Sequence, residues 1–186
     1  MLFGTEAAEF WILNLIQDIM GCGFLDFLIP KITLLGNSGI IWIVVGIVLL
    51  CTKKYRRGGA FLLVGLLLGL IFGNVILKNL IARPRPCWIY DVPLLIPNPT
   101  DFSFPSGHTL SSFISAFVLA RINRKFAVWA FLLAGFMAFT RMYLFAHFPT
   151  DILGGIALAY VIYLMIRKFV TKQTDINCEV NGNGTR

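Results

Sequence analysis

The sequence predicts an all-α integral membrane protein, a helical bundle of five to six transmembrane helices preceded by an amphipathic segment. Three observations carry that reading. Of the 186 residues, 58% are hydrophobic and 13% are Asp, Glu, Lys or Arg, against roughly 45–50% and about 25% in globular domains. Mean hydropathy is +0.80. The apolar residues also gather in long runs, most of them near the ~20 residues that a bilayer core requires.

Five such runs stand out, over residues 32–52, 59–77, 109–122, 127–146 and 152–170. The third is short and is expected to extend back through Gly107 and His108. Their Leu, Ile, Val, Phe and Gly content suits membrane helices, which pack through small residues. Together they form a transmembrane domain over residues 32–170. Before it, residues 1–31 make an N-terminal segment in which Asn14, Gln17 and Asp18 recur at helical spacing among apolar residues. That pattern suits an amphipathic helix lying in the interface. After Gly21-Cys22-Gly23 a second apolar piece follows, with Asp26, Pro30 and Lys31 inside it. The sequence leaves open whether this piece is interfacial, re-entrant or the start of the first span. The polar tail, residues 171–186, is expected to be disordered and cytoplasmic. A cleaved signal peptide is not expected, because Glu6 and Glu9 lie where its basic stretch would be. The four cysteines, Cys22, Cys51, Cys87 and Cys178, form no CxxC pair, which argues against a disulfide framework or a zinc site.

Basic residues set the orientation. Lys53, Lys54, Arg56 and Arg57 fill one loop, Arg121, Arg124 and Lys125 another, and Arg167, Lys168 and Lys172 follow the last run. With alternating spans all three clusters fall on one side, which the positive-inside rule makes cytoplasmic. The net charge of +7 is then largely topological, and no nucleic-acid partner is needed to explain it. The same topology exposes an anomaly: Lys78, Arg83, Arg85 and Arg141 sit at the outer ends of spans, where cations are costly and call for a functional reading. Snorkelling toward anionic head groups is the bland alternative for each one taken alone.

Their sequence context favours chemistry. Three outer segments read Lys78-Asn-Leu-Ile-Ala-Arg-Pro-Arg85-Pro86, Pro105-Ser106-Gly107-His108, and Arg141-Met-Tyr-Leu-Phe-Ala-His147-Phe-Pro-Thr-Asp151. Both histidines of the chain, His108 and His147, fall in these segments. A lone histidine near a membrane is more often packing than catalysis, but two among clustered cations are hard to assign to packing. The segments resemble the signature motifs of the type 2 phosphatidic acid phosphatase family, which is related to the vanadium-dependent haloperoxidases. Lys78, Arg85 and Pro86 match its Lys-x6-Arg-Pro pattern, and Pro105 to His108 match Pro-Ser-Gly-His. Arg141, His147 and Asp151 match Ser-Arg-x5-His-x3-Asp, with Thr140 in place of serine, a change that keeps the hydroxyl.

The residues themselves suit phosphoryl transfer, where positioning and cationic clamps supply most of the catalysis. Lys78, Arg85 and Arg141 can clamp phosphate oxygens, arginine in bidentate fashion. The Ser106 hydroxyl and the Gly107 and His108 N–H groups at a helix start can add donors; the bland reading of Ser106 is an ordinary N-cap. His147 and Asp151 are four residues apart, which stacks them on one face of a helical turn. The resemblance implies that His147 is the nucleophile and His108 the general acid, with Asp151 orienting His147. No carboxylate cluster suggests a metal, so neither metal nor cofactor is expected. Arg83 lies outside the motif positions and reads as a head-group or loop contact, nearly neutral to replacement by lysine. Trp88, Tyr90 and several prolines in residues 87–104 suit a stiff interfacial lid.

The resemblance thus implies a lipid phosphate or diphosphate as substrate, met in the bilayer at an outward-facing site of a bacterial cell membrane. Undecaprenyl diphosphate is the favoured substrate, with phosphatidylglycerol phosphate and phosphatidate as alternatives. A haloperoxidase is disfavoured by the membrane build. A non-enzymatic transporter or anion-binding subunit would have no evident need of His147 and Asp151. The orientation predicts that, with the native Cys87 removed, a cysteine at Asp101 or Asp91 reacts with an impermeant thiol reagent in intact cells and one at Arg124 does not. Labelling of the opposite sidedness would overturn it.

Overall fold

The computed structural model describes the backbone of residues 4–182, and the side chains within that range except at residue 38 and from residue 169 onward. Among the described residues there are helices and no strands. The N-terminal segment folds as α1 (Glu6–Met20) and α2 (Gly23–Leu34), separated at Gly21-Cys22. The bundle follows with α3 (Ile40–Cys51) and α4 (Arg56–Gly69). The latter continues through a π-helical stretch, Leu70–Leu77, into the short α5 (Lys78–Ile81). After α6 (Pro86–Ile89) and a long loop come α7 (Gly107–Ile122), α8 (Arg124–Tyr143) and α9 (Pro149–Gly182). The tail expected to be disordered falls on the last part of α9, whose side chains are outside the described residues, and on residues 183–186, which lie outside them altogether.

One expected run is divided. Residues 32–52 do not make a single helix, because the chain turns after α2 through a 3-10 segment, Asn37–Gly39, before α3 begins. Gly36 and Asn37 interrupt the apolar run, and Gly39 adopts φ 67°, a left-handed conformation that glycine takes without a Cβ clash. The other four runs appear as helices, α7 begins at Gly107, and α9 runs twelve residues beyond the expected end at residue 170.

Among the described residues, three stretches are long and apolar enough to cross a membrane: Arg56–Ile89, Arg124–Tyr143 and Pro149–Lys168. Their outward residues, such as Leu67, Leu70, Val128, Trp129, Leu132 and Leu153, are exposed hydrophobics, as expected of helices whose solvent is lipid. The protein is therefore a multi-pass membrane protein. At its centre lies α7, with Leu110, Ile114, Ala116, Val118 and Leu119 all buried; a helix covered on all sides belongs to a core. It packs on α8, α9 and α4. Helices α3 and α4 approach closely, so that a Cβ on Gly59 would collide with the α3 backbone at Gly46 and Leu50. Small residues at such contacts let membrane helices gain dispersion energy.

Tyr55, in the α3–α4 turn, packs edge-on to Phe126 at the start of α8 with ring centroids 5.7 Å apart. This contact puts the basic turns around Lys53 and Arg124 at one end of the bundle. The opposite end gathers the α2–α3 turn, the loop between α5 and α7, and the α8–α9 loop. There α1 and α2 dock against α8: Gln17 donates to the Tyr143 carbonyl at 2.6 Å, and the Tyr143 hydroxyl donates to Asp26 at 2.6 Å.

Candidate active site

All three motif segments converge at this second end. Two non-glycine residues with left-handed backbone aim them inward. Ala82 (φ 49°) ends α5 and turns Arg83 and Arg85 toward the core. Phe145 (φ 50°) tightens the α8–α9 loop, so that the N–H groups of Ala146 and His147 both donate to the Arg141 carbonyl, at 3.0 and 3.3 Å. Such backbone conformations cost energy and concentrate at functional sites.

A cavity of about 850 Å³ lies among these segments, with Lys78, Arg85, Arg141, His108 and His147 on its wall. The cations are nearly fully buried, Lys78 and Arg141 at 5% exposure and Arg85 at 3%. Arg85 donates from Nε to the Asp101 carbonyl (2.7 Å), from Nη2 to Asp101 Oδ1 (2.6 Å) and from Nη1 to the Ala146 carbonyl (2.8 Å). Its Nη1 also lies 3.2 Å from His147 Nε2, so the guanidinium and the imidazole face the same space. Lys78 pairs with Asp101 Oδ2. Arg141 donates from Nη1 to Thr33 Oγ1 at 2.8 Å; among the described residues, its buried Nε and the buried Oδ1 of Asn74 on the π-helical stretch have no hydrogen-bond partner. Buried donors and acceptors are nearly always paired in folded proteins, and two exceptions beside one cavity mark a place built for a polar ligand.

The histidine–carboxylate pair is less direct than its spacing suggests. His147 Nδ1 is 3.6 Å from Asp151 Oδ2, beyond a hydrogen bond. Ser103 stands beside both: its hydroxyl donates to Asp151 Oδ2 and its Oγ lies 3.4 Å from His147 Nδ1. A chain from Nδ1–H through Ser103 to the carboxylate fits these contacts and leaves Nε2 facing the cavity. Asp151 Oδ2 also accepts from the Phe148 N–H at 2.8 Å. Burial and then the Arg85, Arg141 and Lys78 charges push the His147 imidazole well below its ordinary range, keeping it neutral. Burial opposes ionisation of Asp101, yet Lys78 and Arg85 outweigh it and hold that carboxyl at about 2.

His108 opens α7 on the cavity wall. Its Nε2 lies 3.0 Å from Asn37 Oδ1 and 3.2 Å from the Thr33 carbonyl. Both are acceptors, which assigns the ring proton to Nε2. Gly36 crosses the ring so closely that a Cβ there would stand 2.5 Å from His108 Cδ2. Gly107 likewise has Asn74 against it, 2.9 Å from a Cβ position. Ser106 is fully buried and acts as the N-cap of α7, accepting from Thr109 Oγ1 at 3.0 Å and Thr109 N at 3.5 Å. It thus caps the helix, and the next residue, Gly107, lines the cavity. Among the described residues, no three His, Cys, Asp or Glu side chains group as metal ligands.

Arg83 corrects the sequence reading. Far from meeting head groups, it is 0% exposed. Its Nη1 donates to Asp151 Oδ1 at 2.6 Å and Thr150 Oγ1 at 2.7 Å, its Nη2 to Glu9 Oε1 at 3.0 Å, and its guanidinium stacks on Phe148. Removing one partner from a buried ion pair typically costs about 3–5 kcal/mol. A lysine, with one point charge, cannot bridge both carboxylates. Arg83→Lys is therefore expected to lower the thermal midpoint in detergent by several degrees, as a loss of this size does in a domain of about 150–250 residues. An unshifted midpoint would contradict the bridging role.

The chain is similar to known proteins. The chain is 32% identical over 120 residues to "Undecaprenyl-diphosphatase" of Sulfolobus acidocaldarius, covering 62% of this chain and 56% of that protein. To "Phosphatidylglycerophosphatase B" of Bacillus subtilis it is 29% identical over 178 residues, covering 87% of this chain and 77% of that one. It therefore spans little more than half the length of the archaeal relative. A transmembrane PAP2-type phosphatidylglycerolphosphate phosphatase from Bacillus subtilis, solved by crystallography, shares the fold with a TM-score of 0.74 at 24% identity, over 91% of this chain and 88% of that one. The model of the PAP2 superfamily matches residues 58–175, a stretch that holds all three converging segments, and the chain belongs to that family.

Proposed function

We propose that the protein hydrolyses a lipid phosphate or diphosphate at the extracytoplasmic face of the membrane, through a phosphohistidine on His147. The observation that carries this reading is the shape of the cavity. Its polar end holds the cations and both histidines, while its other wall is formed by Ile43 of α3, Leu63, Leu66 and Leu67 of α4, and Leu70 at the start of the π-helical stretch. Ile43, Leu67 and Leu70 are also exposed on the bundle's outer surface. The cleft thus meets lipid, and an acyl or prenyl tail can lie there while its phosphate reaches the cations. The positive-inside rule, applied to the basic turns at the other end, supports an outward-facing site.

In the first step the His147 Nε2 lone pair forms a bond to phosphorus and the bond from phosphorus to the lipid oxygen breaks. His108, protonated on both ring nitrogens once the substrate's negative charge offsets the neighbouring cations, gives the leaving oxygen a proton. A water oxygen then attacks phosphorus and passes a proton back to His108, and the N–P bond breaks to free inorganic phosphate and neutral His147. Lys78, Arg85 and Arg141 hold the phosphoryl oxygens throughout, and Asp151 stabilises the charged imidazole. Undecaprenyl diphosphate is the favoured substrate, in keeping with the named activity of the archaeal relative. Phosphatidylglycerol phosphate is the second reading, favoured by the alignment with the Bacillus subtilis phosphatase over 87% of this chain.

The histidine roles separate by leaving group. His147→Ala should abolish turnover of every substrate, whereas His108→Ala should spare p-nitrophenyl phosphate, whose leaving group departs without a proton, far more than a lipid monophosphate. The check is the ratio of the two rates in each variant. If His108→Ala loses both equally while His147→Ala spares the activated ester, the roles are reversed.

A further inference from the structure

The N-terminal helix α1 lies wholly before the stretch that matches the family, residues 58–175, yet it sends a carboxylate into the layer behind His147. Glu9 is 5% exposed. Its Oε1 accepts from Thr5 Oγ1 at 2.5 Å and Arg83 Nη2 at 3.0 Å; its Oε2 accepts from Thr150 Oγ1 at 2.7 Å and Thr150 N at 3.1 Å. A carboxylate has about four acceptor sites, and these four contacts engage both oxygens. On α1, Trp11, Ile12, Leu15 and Ile19 are exposed, while Glu9 and Leu13 are buried.

We infer that Glu9 is a positioning residue for phosphoryl transfer, acting through Arg83 and Thr150 on Asp151. Two carboxylates share one guanidinium here, Glu9 on Nη2 and Asp151 on Nη1. With Glu9 charged, Arg83 is only partly neutralised by Asp151, which keeps negative charge for Ser103 and the His147 imidazolium that forms on attack. With Glu9 neutral, Arg83 leans on Asp151 alone and withdraws that charge. Glu9 also grips both the N–H and the hydroxyl of Thr150, the residue before Asp151, which fixes the first turn of α9. Among the described residues, Glu9's own hydrogen-bond partners are Thr5, Arg83 and Thr150, none of them on the cavity wall, so Glu9 bears on the attack and leaves anion binding alone.

This inference rests on the roles given above to His147 and Asp151, and the test keeps the two apart. Glu9→Gln preserves shape and removes the charge. Purified protein in detergent is assayed for the single-turnover rate of acid-labile phosphoenzyme formation, for inhibition by inorganic phosphate, and for thermal midpoint. Expected is a fall of about tenfold in the rate, the size of a coupling of about 1.4 kcal/mol, with the inhibition constant for phosphate within about twofold, the span of an unperturbed anion site. In an Asp151→Asn background, Glu9→Gln should cost little more. An unchanged rate, or an undiminished loss in that background, overturns the inference. If Asp151→Asn alone leaves the rate intact, the underlying reading of the site fails instead. Should Glu9→Gln not fold, Thr150→Val, which removes one Glu9 contact and no charge, is held to the same pattern: a slowed attack that disappears beside Asp151→Asn, or the inference is wrong.

Discussion

Everything at the working end of this molecule depends on how four buried cations are compensated. Lys78, Arg83, Arg85 and Arg141 are each at most 5% exposed, and an uncompensated buried charge is costly. Three carboxylates answer them in the described network: Asp101 for Lys78 and Arg85, with Asp151 and Glu9 for Arg83. Among the described residues, Arg141 has the Thr33 hydroxyl as a hydrogen-bond partner and its Nε has none. The excess positive charge therefore sits at Arg141 and along the cavity wall beside His147, where a phosphoryl group would complete the balance. Stability and function share one charge distribution.

That distribution separates two kinds of arginine. Arg85 and Arg141 point donors at the cavity, and Arg85 holds the backbone at Ala146 so that His147 stays within 3.2 Å of its guanidinium. Arg83 never reaches the cavity wall and instead ties three distant pieces of chain, α1, the loop after α5 and the start of α9. Asp101 is different again. Half-exposed, it bridges Lys78 and Arg85, and an incoming phosphate must compete with it for the same donors. A carboxylate with two oxygens is a weaker match for several clamping cations than a phosphate with more, so this internal counter-ion tempers the cluster without closing it.

The bundle and the motif residues were legible in the sequence because both are written locally. Apolar runs near bilayer length identify helices without reference to any partner, and fixed spacings place Lys78 with Arg85, and His147 with Asp151. What escaped was written across the chain. Arg83 was read as a surface contact because its partners, Glu9 and Asp151, lie 74 and 68 positions away. Ser103 and Asp101 carried no signal beyond ordinary loop polarity, and the Asn37 contact to His108 bridges 71 positions. The break at residues 35–39 was hidden by hydropathy, since two glycines and an asparagine barely dent a long apolar run.

The chemistry reduces to which atom takes the phosphoryl group, and direct trapping answers it. Protein mixed with a phosphorus-labelled lipid phosphate, quenched within one turnover under alkaline denaturing conditions and cleaved for mass spectrometry, should carry the label on the peptide containing His147. The adduct should be stable to base and lost in mild acid, as a phosphoramidate is. Label on a serine peptide, such as that of Ser103 or Ser106, or steady hydrolysis without any protein-bound phosphate, would contradict the account.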